Sequence, residues 1–255
     1  QRLSVFAGGF DLQAAEAVAA TGSDTMDGIA SLVNKSFLAP QEVGGFSRYT
    51  MLESVRGFAA ARLEASEETA ATRERHAMYF LELAERNDTS IWGGPGHQRA
   101  LARLEIELAN FRVALSGLEA SNRGVCLLRL AAALSGIWHY RSHWQEARSW
   151  LTKGLLVGGV SVPKARALAL AKLTVLNRDL AYDPDPAYAA EAVELYRRAH
   201  DDRGTGRTLY LSSTLIPAED TDHKLALLEE SRFFSARAES PTNLGWVHIE
   251  LARLR

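Results

Sequence analysis

Phe37-Leu-Ala-Pro40, Gly44-Gly45 and Phe46-Ser-Arg-Tyr-Thr-Met-Leu52 decide how the chain begins to fold. Two short apolar runs around a Gly-Gly pair read as a β-hairpin. Before the hairpin, Ile29, Leu32, Val33 and Phe37 recur at helical spacing. After it, Glu53 opens a helix carrying Val55, Phe58, Ala59 and Leu63. Further out, Gly8-Gly9 breaks the segment Arg2-Leu-Ser-Val-Phe6, and Asp11 stands as an N-cap before the alanine-rich stretch Leu12 to Ala20. Residues 1–66 therefore read as helix, helix, helix, hairpin, helix, the order of a winged helix.

From Glu67 onward the pattern is helical almost throughout. Thr69 to Arg86 carries Met78, Phe80, Leu81 and Leu83 among charges. Gly93-Gly-Pro-Gly96 is a break. Gln98 to Leu118 reads as one amphipathic helix, with Leu101, Leu104, Leu108, Phe111 and Leu115 on a stripe. Helices then pair across breaks near Asn122, Ser142, Gly158-Gly159, Asp183-Pro-Asp-Pro186, Gly204, Pro217 and Ser240-Pro241. Ala190-Glu-Ala-Val-Glu194 and Ala226-Leu-Leu-Glu-Glu230 stand about 36 residues apart, and Tyr210 and Trp246 follow them at one offset, a spacing close to that of a tetratricopeptide (TPR) repeat. Ala131, Leu134, Ser135, Trp138, Ser142, Trp144, Ala147, Leu151 and Gly154 alternate small and large as such a repeat requires. The predicted organisation is mainly α: a winged-helix domain with a small hairpin over 1–66, connecting helices over 67–120, and an α-α superhelix of TPR-like hairpins over 121–255.

Composition narrows the function. The chain has 255 residues, 47% hydrophobic and 24% charged, enough to bury a sizeable core. Lys+Arg is 29 against Asp+Glu 31, so no global positive field draws it to nucleic acid. The single cysteine, Cys126, excludes an internal disulfide and a four-cysteine zinc site, and suits a reducing, cytoplasmic setting. No apolar run is long enough to span a membrane, and no secretory leader opens the sequence. The first residue is Gln, and Arg255 falls in a helical pattern, which reads as a piece of a longer protein.

Catalytic constellations are not found. Lys35-Ser36 lacks the glycines of a phosphate loop, and Gly93-Gly-Pro-Gly96 lacks the lysine. His139 and His143 stand four apart, but Ser142 is placed to turn the chain between them, so a metal site is not expected. His76 reads as structural or solvated, and Ser, Asp and His are too scattered for a triad. No cofactor is expected on these residues, and no enzyme activity. The concentration of Trp138, Tyr140, His143 and Trp144 at one elbow, with Tyr210 and Trp246 beyond it, marks a candidate groove for a small molecule or a protein partner. DNA binding would fall to the segment Asp27 to Ser36, which offers Asn34 and Lys35 and is otherwise mostly apolar. Residues 1–66 hold five basic groups (Arg2, Lys35, Arg48, Arg56, Arg62) against seven acidic ones (Asp11, Glu16, Asp24, Asp27, Glu42, Glu53, Glu64), which argues against phosphate contacts.

Several blocks resemble a known family. Arg2-Leu-Ser-Val-Phe-Ala-Gly-Gly-Phe-Asp-Leu-Gln-Ala-Ala-Glu-Ala-Val18, Leu32-Val-Asn-Lys-Ser-Phe-Leu38 and Arg48-Tyr-Thr-Met-Leu-Glu-Ser-Val-Arg-Gly-Phe-Ala59 look like the winged-helix segment of bacterial signal-transduction ATPases with numerous domains (STAND), the large LuxR-type and cyclase-linked regulators. Arg75-His-Ala-Met-Tyr-Phe-Leu-Glu-Leu-Ala-Glu85, Leu104-Glu-Ile-Glu-Leu-Ala-Asn-Phe-Arg-Val-Ala-Leu115 and Leu128-Arg-Leu-Ala-Ala-Ala-Leu134 resemble the blocks that follow. The resemblance implies a nucleotide-binding core before Gln1, which would use ATP or ADP with Mg. It implies a winged helix packed on that core as a partner, and repeats that sense an inducer or a protein. In related NB-ARC switches a Met-His-Asp motif touches the ADP phosphate. Met51-Leu52-Glu53 occupies that place, and Leu52 cannot hydrogen-bond a phosphate. Alternatives remain a constitutive repeat scaffold and a DNA-binding winged helix.

Overall fold

The computed structural model describes residues 1–20, 22–88, 96–159, 162–180 and 185–254. Two compact units divide the chain, Gln1–Ile137 and Trp138–Arg255.

The first unit opens with a 3-10 turn, Arg2–Val5, where the sequence pattern predicted a helix. Helix α1 (Leu12–Ala19) follows, capped by Asp11, whose side chain accepts from the Ala14 N–H at 2.8 Å. Helix α2 spans Thr25–Asn34, slightly earlier than its apolar spacing suggested. Strands β1 (Leu38–Val43) and β2 (Phe46–Met51) then pair antiparallel, with Val43 opposite Phe46. The two-residue connection is Gly44-Gly45, with φ of 59° and 78°. Both signs match the tight hairpin turn that fits strand twist, and glycine adopts them without strain. Helix α3 (Glu53–Glu64) closes this part.

Helix α4 (Thr69–Asp88) packs on α1 and on α6. The stretch expected to be one helix is two, α5 (His97–Ile106) and α6 (Leu108–Ala120), separated at Glu107. The junction residue is chemically distinctive: the Glu107 side chain is completely buried and ion-paired, as described below. The core between α1, α4 and α6 is aromatic. Phe6 lies 4.6 Å from Phe10 and 6.2 Å from Phe80, and Phe80 meets Phe111 edge-on at 5.5 Å. Edge-on and tilted pairs of this kind add to simple area burial. Helix α7 (Gly124–Tyr140) contains the division between the units.

The second unit is a series of antiparallel helices: α8 (Trp144–Gly158), α9 (Pro163–Asp179), α10 (Pro186–Arg198), α11 (Asp202–Ser213), α12 (Thr221–Arg237) and α13 (Pro241–Arg253). From α9 onward each helix packs on the next, and α9 with α11 and α11 with α13 also meet. Asp185, Asp201 and Asp220 accept backbone N–H bonds at the starts of α10, α11 and α12. The read breaks at Gly93-Gly-Pro95 and Asp183-Pro184 lie outside the described residues. The break read at Gly204 is corrected, since this glycine sits inside α11 and the turn falls earlier, at His200. A Cβ on Gly204 would overlap the Tyr196 ring, so the glycine serves close helix approach. Gly206 likewise faces Ser231 and Ser235, and its carbonyl accepts from the Ser231 hydroxyl at 2.6 Å.

One backbone device recurs. Ser36, Asn122, Ser142, His200 and Glu239 each stand at positive φ just after a helix. Behind each, the next residue's N–H reaches back five residues: Phe37 to Leu32, Arg123 to Leu118, His143 to Trp138, Asp201 to Tyr196 and Ser240 to Ser235, all at 2.9–3.0 Å. This is the left-handed helix stop that usually carries glycine. None of these five positions holds one; the stops at Asn122, Ser142 and Glu239 fall at or beside breaks read from the sequence, and the one at His200 does not.

Candidate functional site

In the first unit the functional interest lies where the hairpin meets α5 and α6. Arg48 on β2 is a strand arginine only 1% exposed, and Glu107 at the α5–α6 junction is 0% exposed. They form a two-pronged pair: Nη1 to Oε1 at 2.5 Å and Nη2 to Oε2 at 3.1 Å. Arg48 Nη2 also donates to the Gly9 carbonyl at 2.9 Å. Gly9 has no room for a side chain, because a Cβ there would stand 2.8 Å from the Tyr49 carbonyl oxygen. The carboxylate is held by two further groups. Asn110 Nδ2 donates to Glu107 Oε2 at 2.7 Å, and Arg103 approaches Glu107 Oε1 at 3.1 Å. Arg103 in turn meets Asp11 at 2.5 Å, and Asn110 Oδ1 accepts from the Ala7 N–H at 2.9 Å. Burying two charges costs several kcal/mol each, which the mutual attraction and these added hydrogen bonds offset, although Arg48 Nε has no hydrogen-bond partner. The network thus ties the hairpin, the start of α1 and the α5–α6 junction into one rigid body.

His76 on α4 adjoins this network. It packs 4.6 Å from the Phe80 ring and 5.3 Å from Phe6. Burial pushes its pKa down to about 4, against the opposing pull of a hydrogen bond to Asn110, so it is neutral at pH 7.

The family-position residues behave otherwise. Met51 ends β2 half-buried, while Leu52 is exposed as the N-cap of α3. Glu53 is exposed and bonded to Arg56 at 3.0 and 2.5 Å, and that guanidinium lowers its pKa. Nothing in this arrangement gathers donors around a phosphate position.

All six candidate groove residues fall in the second unit. Trp138 is fully buried and presents no open ring face. Tyr140 is exposed, and His143, also exposed, is the N-cap of α8. Trp144 stacks on His139 with centroids 6.2 Å apart, and its indole N–H donates to the His139 carbonyl at 3.2 Å. Ser142, at φ 58°, turns the chain between His139 and His143, so the two rings stand on different helices. Among the described residues no group of three metal-ligating side chains is found. Tyr210 and Trp246 come together, stacked at 5.8 Å, with the Arg207 guanidinium 5.2 Å over the indole. A cation over a tryptophan face is favourable and partly desolvated.

Sequence reasoning missed the charges between these aromatic sets. Burial lowers the His139 pKa first, Lys172 lowers it next, and Arg178 and Arg207 add to this against Asp179. Lys172 on α9 is only 8% exposed. Arg178 donates to the Thr214 hydroxyl at 2.8 Å, and Arg148 to Asn177 at 3.0 Å. In the second unit, cations on α9 and α11 thus act on His139, with Arg178 itself paired to Asp179 at 2.7 Å. The missed signal was Lys172 standing in the apolar run Ala167 to Leu176.

Comparison with known proteins places the N-terminal part. Residues 1–64 match the model of a winged helix-turn-helix domain. They are a winged helix. Its helix-turn-helix is α1–α2 and its wing is β1–β2. The chain is 35% identical over 223 residues to a Mycobacterium tuberculosis protein provisionally named an HTH-type transcriptional regulator, covering 82% of this chain and 25% of that protein. A Mycobacterium bovis protein of the same provisional name matches to the same extent. An uncharacterized M. tuberculosis protein is 41% identical over 84 residues, 31% of this chain and 21% of its own length. The chain spans about a quarter of the length of the regulators it matches. No solved structure matches. No helix among the described residues is long and apolar enough to cross a membrane.

Proposed function

We propose that this chain is the non-catalytic regulatory portion of a STAND-type transcription regulator. Its TPR-like helices sense a small inducer or a protein, and its winged helix relays the outcome to a nucleotide-binding core that uses ATP or ADP with Mg. One observation carries the protein-facing role of the winged helix: the character of its open surface. Met26 and Leu52 are each 58% exposed and Phe58 66%, with Phe37 and Val43 also exposed. Exposed side chains of this size are what a protein-docking face would use, and on that ground the winged helix is read as protein-facing. The one arginine of the wing, Arg48, is spent on Glu107 and cannot reach a phosphate. The sensing role rests on the charged aromatic patch around Lys172, Arg207 and Trp246.

A second reading is direct DNA binding. The winged helix-turn-helix match favours it. So does the exposure of Ser31, Asn34 and Lys35, which share one face of α2. One experiment separates the two. In the full-length parent, Leu52→Asp with Phe58→Asp should abolish regulated output while the fold is kept by circular dichroism. Asn34→Ala with Lys35→Glu should leave output within about twofold. Unchanged output in the first pair, with loss of salt-sensitive DNA retention in the second, would establish the DNA reading instead.

A further inference from the structure

Beside the core of the first unit lies a cavity of about 730 Å³ between α4 and α6, with Val5 also in its lining. Ala77, Val113 and Leu118 supply apolar wall. His76 is among the residues that line the cavity; the ring is 1% exposed and its buried Nε2 has no hydrogen-bond partner. A buried polar atom left unsatisfied is destabilising, so its persistence calls for an explanation. With the ring neutral and its other nitrogen turned to Asn110, Nε2 carries a lone pair and accepts. The cations at the mouth are already engaged. Arg123 meets Glu74 at 2.8 Å, Arg73 pairs with Glu64, and Arg112 also has a partner. An anion would have to displace these partners to use them. An uncharged molecule would not.

We propose that this cavity binds an uncharged, largely apolar small molecule that donates one O–H or N–H hydrogen bond to His76 Nε2. The site is separate from the aromatic patch of the second unit and does not depend on the role given to that patch. Its placement gives it a consequence. The acceptor ring is bonded through Asn110 to Glu107, and Glu107 holds Arg48 on the wing. A ligand there bears on the groups that fix the wing against the helices.

The test uses the 255-residue chain with histidine ring nitrogens labelled, titrated with 2-naphthol, naphthalene and 2-naphthoate at pH 7. We expect 2-naphthol to move the His76 Nε2 resonance in the direction of an accepted hydrogen bond. It should bind about tenfold more tightly than naphthalene, the ratio one buried neutral hydrogen bond gives. The naphthoate anion should bind more weakly than the naphthol. In His76→Phe, which keeps a ring of similar size, the naphthol-to-naphthalene ratio should fall to about one. Val113→Trp, which fills the cavity from α6, should abolish binding of both. Equal binding of naphthol and naphthalene, tightest binding of the anion, or shifts confined to residues outside α4 and α6 would each overturn the proposal. The wild-type ring resonance decides the matter even if His76→Phe fails to fold.

Discussion

The two units hold their polar groups in opposite ways. In the first, the decisive contacts are polar groups brought together from far apart in sequence: the buried pair Arg48 with Glu107, the partly buried pair Asp11 with Arg103, and the Ala7 N–H with Asn110. In the second, close helix packing rests on small residues and hydroxyls within neighbouring hairpins. Gly204 lies against Tyr196, Gly206 against Ser231 and Ser235, and Asn243 donates to Ser235 at 2.5 Å. Its ion pairs, such as Arg166 with Glu191 and Arg198 with Glu194, stand largely at the surface. Surface pairs contribute at most about 1 kcal/mol each, whereas losing one partner of a buried pair costs several. The first unit is thus fixed by a few long-range contacts, and the second by many local ones.

The largest effect should follow from breaking the first kind. Arg48→Met leaves Glu107 buried with its main counter-charge gone, and should destabilise the first unit by about 3–5 kcal/mol in denaturant unfolding. The double variant Arg48→Met with Glu107→Leu should recover a large part of that loss, since an apolar pair of similar volume removes the desolvation cost. If the single variant unfolds at the wild-type midpoint, the long-range contacts do not carry the unit.

How much of this was legible beforehand follows the same divide. The hairpin, the Asp11 cap and the paired helices are local features, and turn residues and apolar periodicity declare them. The Arg48–Glu107 pair joins positions 59 apart, and nothing local announces it. One trace was present: Glu107 stands three residues after Leu104 and four before Phe111, on the buried stripe itself. A charge on an apolar stripe asks for a partner. Read as a continuous amphipathic helix, the stripe concealed the junction at which this charge sits. Among the groove candidates, Tyr210 and Trp246 could be paired from their common offset. The burial of Trp138 could not be foreseen, because one periodicity serves core and groove alike.

A second, smaller effect comes from pH and again singles out the first unit. His76 titrates near 6.5 when unfolded and at about 4 when folded. Between those values the unfolded chain binds more protons, so stability rises with pH across that window. The contribution is complete above about pH 6.5, is lost as pH falls toward 4, and changes little below. The loss should reach about 3 kcal/mol. In His76→Phe the slope between pH 4 and 6.5 should flatten by that amount, measured by urea midpoints at intervals of pH. An unchanged slope would show that other groups govern it.

The smallest effect sharpens the comparison from the other side. Glu239 closes α12 at φ 48°, exposed and in the left-handed conformation that a side chain resists. The stop itself is made by backbone, Ser240 N–H to the Ser235 carbonyl at 3.0 Å, and needs no side chain at 239. Glu239→Gly relieves the backbone but gives the unfolded chain more freedom, and these terms oppose each other. The net should be a gain of about 0.5–1 kcal/mol, read as a higher thermal midpoint for the second unit. The gain should be the same when Arg48→Met is also present, because sites that share no partners add. A gain that vanished in that background would mean the units do not hold their structure by independent means.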